Sequence, residues 1–158
     1  MTIRLDTAAR FLCEQSGWSI SNLQLQKLLY LAQVEHAARC NGAELVGDKF
    51  QAWDYGPVIP KLYGRLKMFG AGRVEDVFRD ALTLKQESDS HESLATVWSD
   101  FGDVAPGELI EVTHWDRGGW AQRYEPGIRS IPIRQTDIIE EARNRSEYAD
   151  EWRSVIAA

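Results

Sequence analysis

Three histidines and two cysteines are the side chains of this sequence that could most readily bind a metal or attack a substrate: His36, His91, His114, Cys13 and Cys40. They are scattered along the chain and form no Cys-x-x-Cys pair. Zinc sites built from sequence neighbours use closely spaced ligands, so this spacing predicts no metal site. We interpret both cysteines as small buried hydrophobic residues.

The glycine motifs and the paired acids of the sequence do not indicate a catalytic site either. No Gly-x-Ser-x-Gly motif of a serine nucleophile is present. The Gly70-Ala71-Gly72 run lacks the Lys-Ser or Lys-Thr that completes a phosphate-binding loop, so we interpret it as a helix stop. Glu140 and Glu141 lie near a predicted helix start, where they favour the helix dipole. We predict that the protein is not an enzyme and uses no cofactor.

Tryptophan is abundant, with six residues in a chain of 158. Trp53, Trp115 and Trp120 lie at or beside predicted loops, where an indole either anchors the loop or contacts a partner. Both interpretations remain open from the sequence. With Tyr55 and Tyr63 from the same part of the chain as Trp53, these are our candidate partner-binding residues.

Residues 53–60, WDYGPVIP, lie between two predicted helices. The aromatic residues alternate across one position, as side chains of an extended segment do, and Gly56-Pro57 is a turn signal. We predict a rigid corner between helices that either shapes the core or contacts a partner. If Trp53 is fully buried there, Trp53→Ala should cost roughly 3 to 5 kcal/mol of stability.

The strongest helical pattern covers residues 22–39. Ser21 and Gln24 form a capping-box pattern before it, and Asn41-Gly42 is a typical stop after it. Its apolar residues cover more than one face, which is typical of a helix buried at the centre of a domain. We predict that the other elements pack against this helix.

Shorter elements are predicted on both sides of the central helix. Asp6 is predicted to cap a first helix, and Pro60 to begin another that ends near Gly70. Residues 44–56 favour short extended pieces, such as a hairpin. Residues 73–90 show no clean period and predict a short helical piece with a loop.

Three further helices are predicted in the second half of the chain. Apolar spacing predicts one at 94–101 and one at about 106–115, followed by a loop that carries Trp120. Thr136 or Asp137 is predicted to cap the last helix. A polar segment follows from about residue 144, either as a solvated tail or as an element that contacts a partner.

Composition and charge favour one ordinary globular domain over residues 1–158. We predict a mainly α fold, a compact helical bundle with a small hairpin element at 44–56. The net charge of −6 and pI near 5.1 make nucleic acid an unlikely partner, because phosphate binding needs clustered Lys and Arg. Arginines of the last third, including Arg145, are interpreted as solvated because acids are interleaved with them.

The start of the chain and its cysteine content favour a cytoplasmic protein. Arg4, Asp6 and Arg10 interrupt the first residues, so no secretory leader is expected. No apolar run approaches the ~18 residues of a membrane span, so no membrane association is expected. Only two cysteines occur, as is typical of a reducing compartment.

Two blocks of sequence together resemble a known family. The first comprises residues 23–33 (LQLQKLLYLAQ), Gly42 and residues 50–63 (FQAWDYGPVIPKLY). The second, looser block consists of Leu109, Thr113, His114 and Trp120. Over about residues 8–143 the chain resembles the SocA-like, or Panacea, antitoxin domain, which is also met in phage-associated proteins. The motif positions that we assign to the family, with structural roles, are Leu25, Lys27, Leu28, Tyr30, Trp53, Gly56, Pro57 and Pro60.

The resemblance implies a non-enzymatic antitoxin that binds a toxin encoded beside it and neutralises it by direct contact. In the best-known branch of the family, the antitoxin also delivers the toxin to the ClpXP protease as an adaptor. The domain pairs with many unrelated toxins, so the resemblance does not name the target. The alternative is a DNA-binding regulator of its own operon or another phage-associated regulatory protein, which the acidic balance disfavours.

Lys27 and Tyr63 match motif positions, but the resemblance assigns neither a binding role. Lys27 lies on the predicted central helix, which is apolar around much of its circumference. A lysine there can pack its stem and extend its ammonium to the rim. We expect this arrangement for Lys27.

Overall fold

A computed structural model describes residues 1–157, with side chains described through residue 153. This part of the chain forms eight α-helices, one short 3-10 helix (Lys67–Phe69) and three short strands. The helices are α1 (Leu5–Gln15), α2 (Asn22–Arg39), α3 (Pro60–Leu66), α4 (Asp89–Phe101), α5 (Pro106–Thr113), α6 (Gly119–Arg123), α7 (Gln135–Glu147) and α8 (Ala149–Ala157). The strands are β1 (Phe50–Trp53), β2 (Gly56–Val58) and β3 (Pro132–Ile133). The fold is mainly α, as predicted.

Helix α2 is the centre of the fold and has the predicted bounds. The Ser21 hydroxyl accepts a hydrogen bond from the backbone N–H of Gln24 at 3.2 Å, and the Gln24 side chain accepts one from Ser21 N–H at 2.9 Å. This capping box satisfies two N–H groups at the helix start that have no partner within the helix. Helices α1, α4, α5 and α7 pack around α2. Leu25 and Leu28 are fully buried between them.

Strands β1 and β2 form the predicted hairpin, and β3 pairs antiparallel with the other edge of β1. Trp53 pairs with Gly56, so Asp54 and Tyr55 form a two-residue turn. The pairing begins at Phe50, later than the predicted residue 44, because the preceding segment turns inward. There the Gln33 side chain accepts hydrogen bonds from two backbone N–H groups and donates one to a carbonyl.

Two predicted helix caps are wrong by a few residues. Helix α1 begins at Leu5, and Asp6 lies inside its first turn, where its carboxylate pairs with Arg65 at 2.9 Å. Helix α7 begins at Gln135, so neither Thr136 nor Asp137 is the cap. The Asp137 carboxylate instead reaches back to the backbone N–H of Arg134 at 2.8 Å. Acids at the second or third position still stabilise a helix start through its dipole.

Two elements differ from the sequence prediction. Residues 73–88 contain no helix, because Val74, Phe78 and Leu84 are anchored in the core at irregular spacing. The loop predicted around Trp120 contains the short helix α6.

The polar segment from residue 144 is helical and packed, so the interpretation as a solvated tail is wrong. Arg145 and Trp152 are both buried. The Trp152 ring stacks on Phe101 with centroids 6.0 Å apart, and its indole N–H donates to the carbonyl of Arg145 at 3.0 Å. Sequence composition could not reveal these contacts, because they join α8 to helices earlier in the chain.

Among residues 1–157, no helix combines the length and the apolar character that crossing a membrane would require.

Candidate functional site

A groove of about 360 Å³ lies between the start of α2, the turn of the β1–β2 hairpin and α3. We call it the hairpin groove. Its lining includes Leu23, Lys27, Trp53, Tyr55, Tyr63 and Arg129. The structure therefore brings together three of the five candidate partner-binding residues, Trp53, Tyr55 and Tyr63.

Aromatic side chains form one wall of the hairpin groove. The rings of Trp53 and Tyr63 meet edge to face with centroids 5.0 Å apart. The Arg129 guanidinium lies 4.1 Å from the Trp53 ring centroid, within the range of a cation–π contact. Trp53 is half-buried, so the condition for the full-burial cost of Trp53→Ala is not met. Tyr55 is 69% exposed at the hairpin turn, which leaves its ring accessible to a partner.

Lys27 lies at the base of the hairpin groove, and its expected extension to the rim is wrong. The side chain is only 1% exposed, and its ammonium donates a hydrogen bond to the carbonyl of Pro57 at 3.1 Å. Burial lowers the pKa of Lys27 from its usual 10.5 to about 7. Among the described side chains, no carboxylate forms a salt bridge with Lys27.

The position of Lys27 explains the glycine at the start of β2. Gly56 has φ of +113° and passes directly over the lysine stem. A Cβ atom on Gly56 would lie 2.7 Å from Lys27 Cε and 3.1 Å from Thr113 Oγ1. Glycine is therefore required for both its backbone conformation and its lack of a side chain.

The rest of the corner connects β2 to α3. The Pro57 carbonyl accepts from Lys27, and the backbone N–H of Ile59 donates to the Gln26 side chain at 2.9 Å. Pro60 occupies the first turn of α3, where its missing N–H costs nothing. Residues 53–60 thus shape the core on one side and line the hairpin groove on the other.

A stack of rings holds the hairpin turn from behind. Trp120 is sandwiched between His114, at 3.6 Å between centroids, and Tyr124, at 4.4 Å. Its indole N–H donates to the carbonyl of Trp53 at 2.7 Å, while the Tyr124 hydroxyl donates to the Asp54 carboxylate at 2.7 Å. Trp120 is 8% exposed, so in this structure it anchors the hairpin and offers little surface to a partner.

His114 belongs to the same stack and is held neutral by its surroundings. Burial and the nearby charge of Lys27 lower the pKa of His114 to about 4, against a smaller opposing effect of a hydrogen bond with the Tyr55 backbone. The neutral ring packs flat on Trp120. The histidine therefore supports the hairpin at neutral pH.

Trp115 lies outside the hairpin groove, in a second buried cluster that the sequence did not reveal. The centre of this cluster is Glu141, which is fully buried. Its carboxylate accepts hydrogen bonds from the Tyr30 hydroxyl at 2.6 Å and from Gly119 N–H at 2.7 Å, and pairs with Arg145 at 2.6 Å. The motif residue Tyr30 is therefore one of the groups that hold this carboxylate.

Arg145 extends the cluster to α5 and α8. Its guanidinium donates to the carbonyl of Val112 at 2.8 Å and lies 5.0 Å from the ring of Trp115 and 4.8 Å from that of Trp152. Arg145 is 7% exposed, so its interpretation as a solvated residue is wrong. Glu141 and Arg145 are spaced i, i+4, and this signal could have indicated the pair.

Of the three histidines and two cysteines, His36 and Cys40 lie in contact with each other, but the five residues do not converge on one site. Burial raises the pKa of the Cys13 thiol to about 12, which disfavours a thiolate, and nearby Asp76 and Glu14 add to the shift. His36 contacts the Ser93 hydroxyl at 2.8 Å, and Cys40 Sγ lies 3.8 Å from the same ring. Among the side chains described, those of residues 1–153, no three His, Cys, Asp or Glu residues are grouped so that they could hold a metal ion.

A comparison with protein family models assigns this chain to a family. The family model described as "Antitoxin SocA-like, Panacea domain" matches residues 25–121, from the first turn of α2 into α6. The chain belongs to the SocA-like antitoxin family. The match is narrower than the range of about 8–143 suggested by the motifs. It includes Lys27, the whole hairpin and Tyr63, but not Arg129, Glu141 or Arg145.

A curated relative agrees with this assignment. The SocA-like chain is 31% identical over 113 residues to a protein named "Antitoxin SocA" from Caulobacter vibrioides strain NA1000 / CB15N. The aligned region covers 64% of this chain and 58% of the relative, so the chain spans little more than half of that protein. No solved structure matches the chain significantly.

Proposed function

We propose that this SocA-like chain is an antitoxin that neutralises a toxin protein by binding it directly. The observation that carries the proposal is the family match over residues 25–121, supported by the similarity to a protein named as an antitoxin. The environments of Cys13 and His114, which are possible nucleophiles, also support a binding function over a catalytic one. Cys13 is buried with a raised pKa, and the face of the His114 ring is covered by Trp120.

We propose the hairpin groove as the surface that contacts the toxin. It combines half-buried aromatic side chains, Trp53 and Tyr63, with the exposed ring of Tyr55. Aromatic residues held rigidly beside a concave surface are typical of the few positions that dominate binding energy. The ring stack behind the hairpin keeps this surface ordered before a partner arrives, which lowers the entropic cost of binding.

Co-expression with the small open reading frame beside this gene tests the proposal. We expect the neighbour to arrest growth alone and growth to resume when this chain is co-expressed. Tyr55→Ala should weaken the rescue without lowering thermal stability, because the ring is exposed. Leu82→Ala is the matched control, since Leu82 is 71% exposed on a loop away from the hairpin groove. A harmless neighbour, or one that remains toxic with the wild-type chain, contradicts the antitoxin function.

We further propose that the protein acts in the cytoplasm without a cofactor or nucleic acid.

We also propose that this chain delivers the bound toxin to ClpXP, which then degrades it. Degradation and simple occlusion of the toxin predict different outcomes. If delivery to ClpXP is required, rescue by this chain disappears in cells that lack the protease. Rescue that persists in those cells contradicts an obligatory adaptor role and leaves occlusion as the mechanism.

A further inference from the structure

We propose that the hairpin groove binds a segment of the partner protein that carries a carboxylate beside an apolar or aromatic side chain. The inference rests on the proposed antitoxin function for the partner being a protein. It adds the chemistry that this surface recognises, which family membership leaves open.

The first observation is the charge of the hairpin groove. The chain as a whole has a net charge of −6, yet three basic side chains line this groove: Lys27, Lys67 and Arg129. Asp54 is the acid among the lining residues, and its carboxylate already accepts a hydrogen bond from the Tyr124 hydroxyl at the rim. A local cationic surface on an acidic protein favours an anionic occupant over a cationic one.

The second observation is the position of Lys27. An ammonium group has three N–H donors, and within the described part of the chain it has one acceptor, the Pro57 carbonyl at 3.1 Å. The side chain is 99% removed from solvent and lines the base of the groove. Burying a charge without a counter-charge is unfavourable. A carboxylate that enters the groove supplies both the opposite charge and the missing acceptors.

The apolar walls determine what must accompany the carboxylate. Leu23, Val58, Trp53 and Tyr63 border the same space as Lys27. A volume of about 360 Å³ is at the small end of ligand sites, enough for one large side chain with a neighbouring acid. The apolar walls and the recessed single ammonium favour such a segment over a phosphate backbone, which is bound by exposed rows of Lys and Arg.

A displayed library of random peptides, selected on the folded full-length protein, tests this inference directly. We expect the enriched peptides to carry Asp or Glu within one or two positions of an aromatic or aliphatic residue. Lys27→Met, which keeps the length of the side chain and removes its charge, should weaken binding of these peptides at least tenfold. Arg129→Gln should weaken it a few-fold. Lys85→Met, at an exposed position away from the groove, should leave it unchanged.

Three outcomes overturn the inference. They are selected peptides without an acid, binding that Lys27→Met and Arg129→Gln leave intact, and the absence of any enriched peptide. If Lys27→Met does not fold, as judged by circular dichroism, the double variant Lys67→Gln with Arg129→Gln replaces it, because both side chains are exposed. That variant should weaken peptide binding at least fivefold, and unchanged binding again overturns the inference.

The toxin-rescue experiment separates failure of this inference from failure of the proposed function. If the wild-type chain rescues growth but the selected peptides lack acids, the antitoxin function stands and the groove chemistry is wrong. If acidic peptides bind through Lys27 but the chain rescues no neighbouring toxin, the groove chemistry stands and the antitoxin function is wrong.

Discussion

Single residues of the SocA-like motif are explained by contacts with one another. Lys27 passes beneath Gly56, and its ammonium is fixed by the carbonyl of Pro57. The lysine needs a glycine above it because any Cβ would meet its stem, and the glycine needs its positive φ to form the hairpin. These positions therefore form one packing unit, and Lys27 of this unit also lines the hairpin groove.

Gly56→Ala should destabilise the fold by about 1 to 3 kcal/mol, because alanine at φ of +113° is strained and its Cβ would lie 2.7 Å from Lys27 Cε. Gly64→Ala is the matched control. Gly64 lies within helix α3 with open space around it, so alanine there should stabilise by roughly 0.5 to 1 kcal/mol. Urea unfolding of both variants measures the difference, and equal midpoints would contradict the packing argument.

His114 should make the protein sensitive to acid between about pH 6.5 and pH 4. Its pKa in the folded state is about 4, below its usual 6.5, so the unfolded chain binds a proton first as the pH falls. The stability that the neutral ring contributes is complete above pH 6.5 and is lost as the pH falls towards 4. His114→Phe, which keeps a flat ring against Trp120, should flatten the stability profile in this window.

The titration of Lys27 affects stability at a higher pH than the titration of His114. With a folded-state pKa of about 7 and an unfolded value of 10.5, it changes stability only between those two values, where stability should rise with pH. Thermal unfolding of wild type and His114→Phe across pH 4 to 8 is the test. Parallel profiles for the two proteins below pH 6.5 would show that His114 is not the acid-sensitive group.

At the scale of elements, helix α7 is fixed to the rest of the fold by the Glu141 carboxylate. One carboxylate oxygen accepts hydrogen bonds from Tyr30 of α2 and from Gly119 of α6. The other oxygen pairs with Arg145 of α7 itself. Buried ion pairs of this kind contribute little net stability when intact but are costly to break, because the remaining charge is left unpaired. The cluster therefore specifies where α7 lies.

Glu141→Gln should lower the free energy of unfolding by about 3 to 5 kcal/mol, because it leaves the buried Arg145 guanidinium without its counter-charge. The adjacent Glu140→Gln is the matched control. It removes an exposed pair with Arg143, whose loss should cost less than about 1 kcal/mol. Chemical denaturation compares the two, and similar losses would mean that the Glu141 carboxylate is not the group that holds α7.

Local sequence predicted the elements whose signals are local, and distance along the chain explains most of the rest. The capping box of Ser21 and Gln24 and the apolar periodicity that predict helix α2 lie within or directly beside its own residues. Tyr30 and Glu141 lie 111 positions apart, so neither indicates the other in the sequence. The hairpin groove shows both cases. Trp53, Tyr55 and Tyr63 lie close together in the sequence, so they could be predicted together. Arg129 reaches Trp53 only because the chain returns to pair β3 with β1.

At the scale of the whole molecule, one hydrophobic core joins α1 to α8. Buried side chains form a single cluster from Leu5 to Trp152, and no second core exists within residues 1–153. The sequence predicts one domain over residues 1–158, and a single core should make the elements unfold together. The six tryptophans are distributed from position 18 to position 152, so fluorescence samples nearly the whole chain.

Urea unfolding followed by tryptophan fluorescence and by far-ultraviolet circular dichroism should therefore give coincident transitions. Circular dichroism reports mainly the helices, while Trp53 and Trp120 report the hairpin and its ring stack. A linear dependence on urea with a slope of about 1 to 3 kcal/mol/M is expected for a domain of this size. Trp152→Phe isolates the fluorescence signal of α8. If the fluorescence transition of the wild type begins at lower urea than the circular dichroism transition, and the variant lacks this early phase, α8 unfolds separately. Coincident curves for both proteins indicate that α8 is part of the same cooperative unit as α2, because the Arg145 and Trp152 contacts tie it to the core.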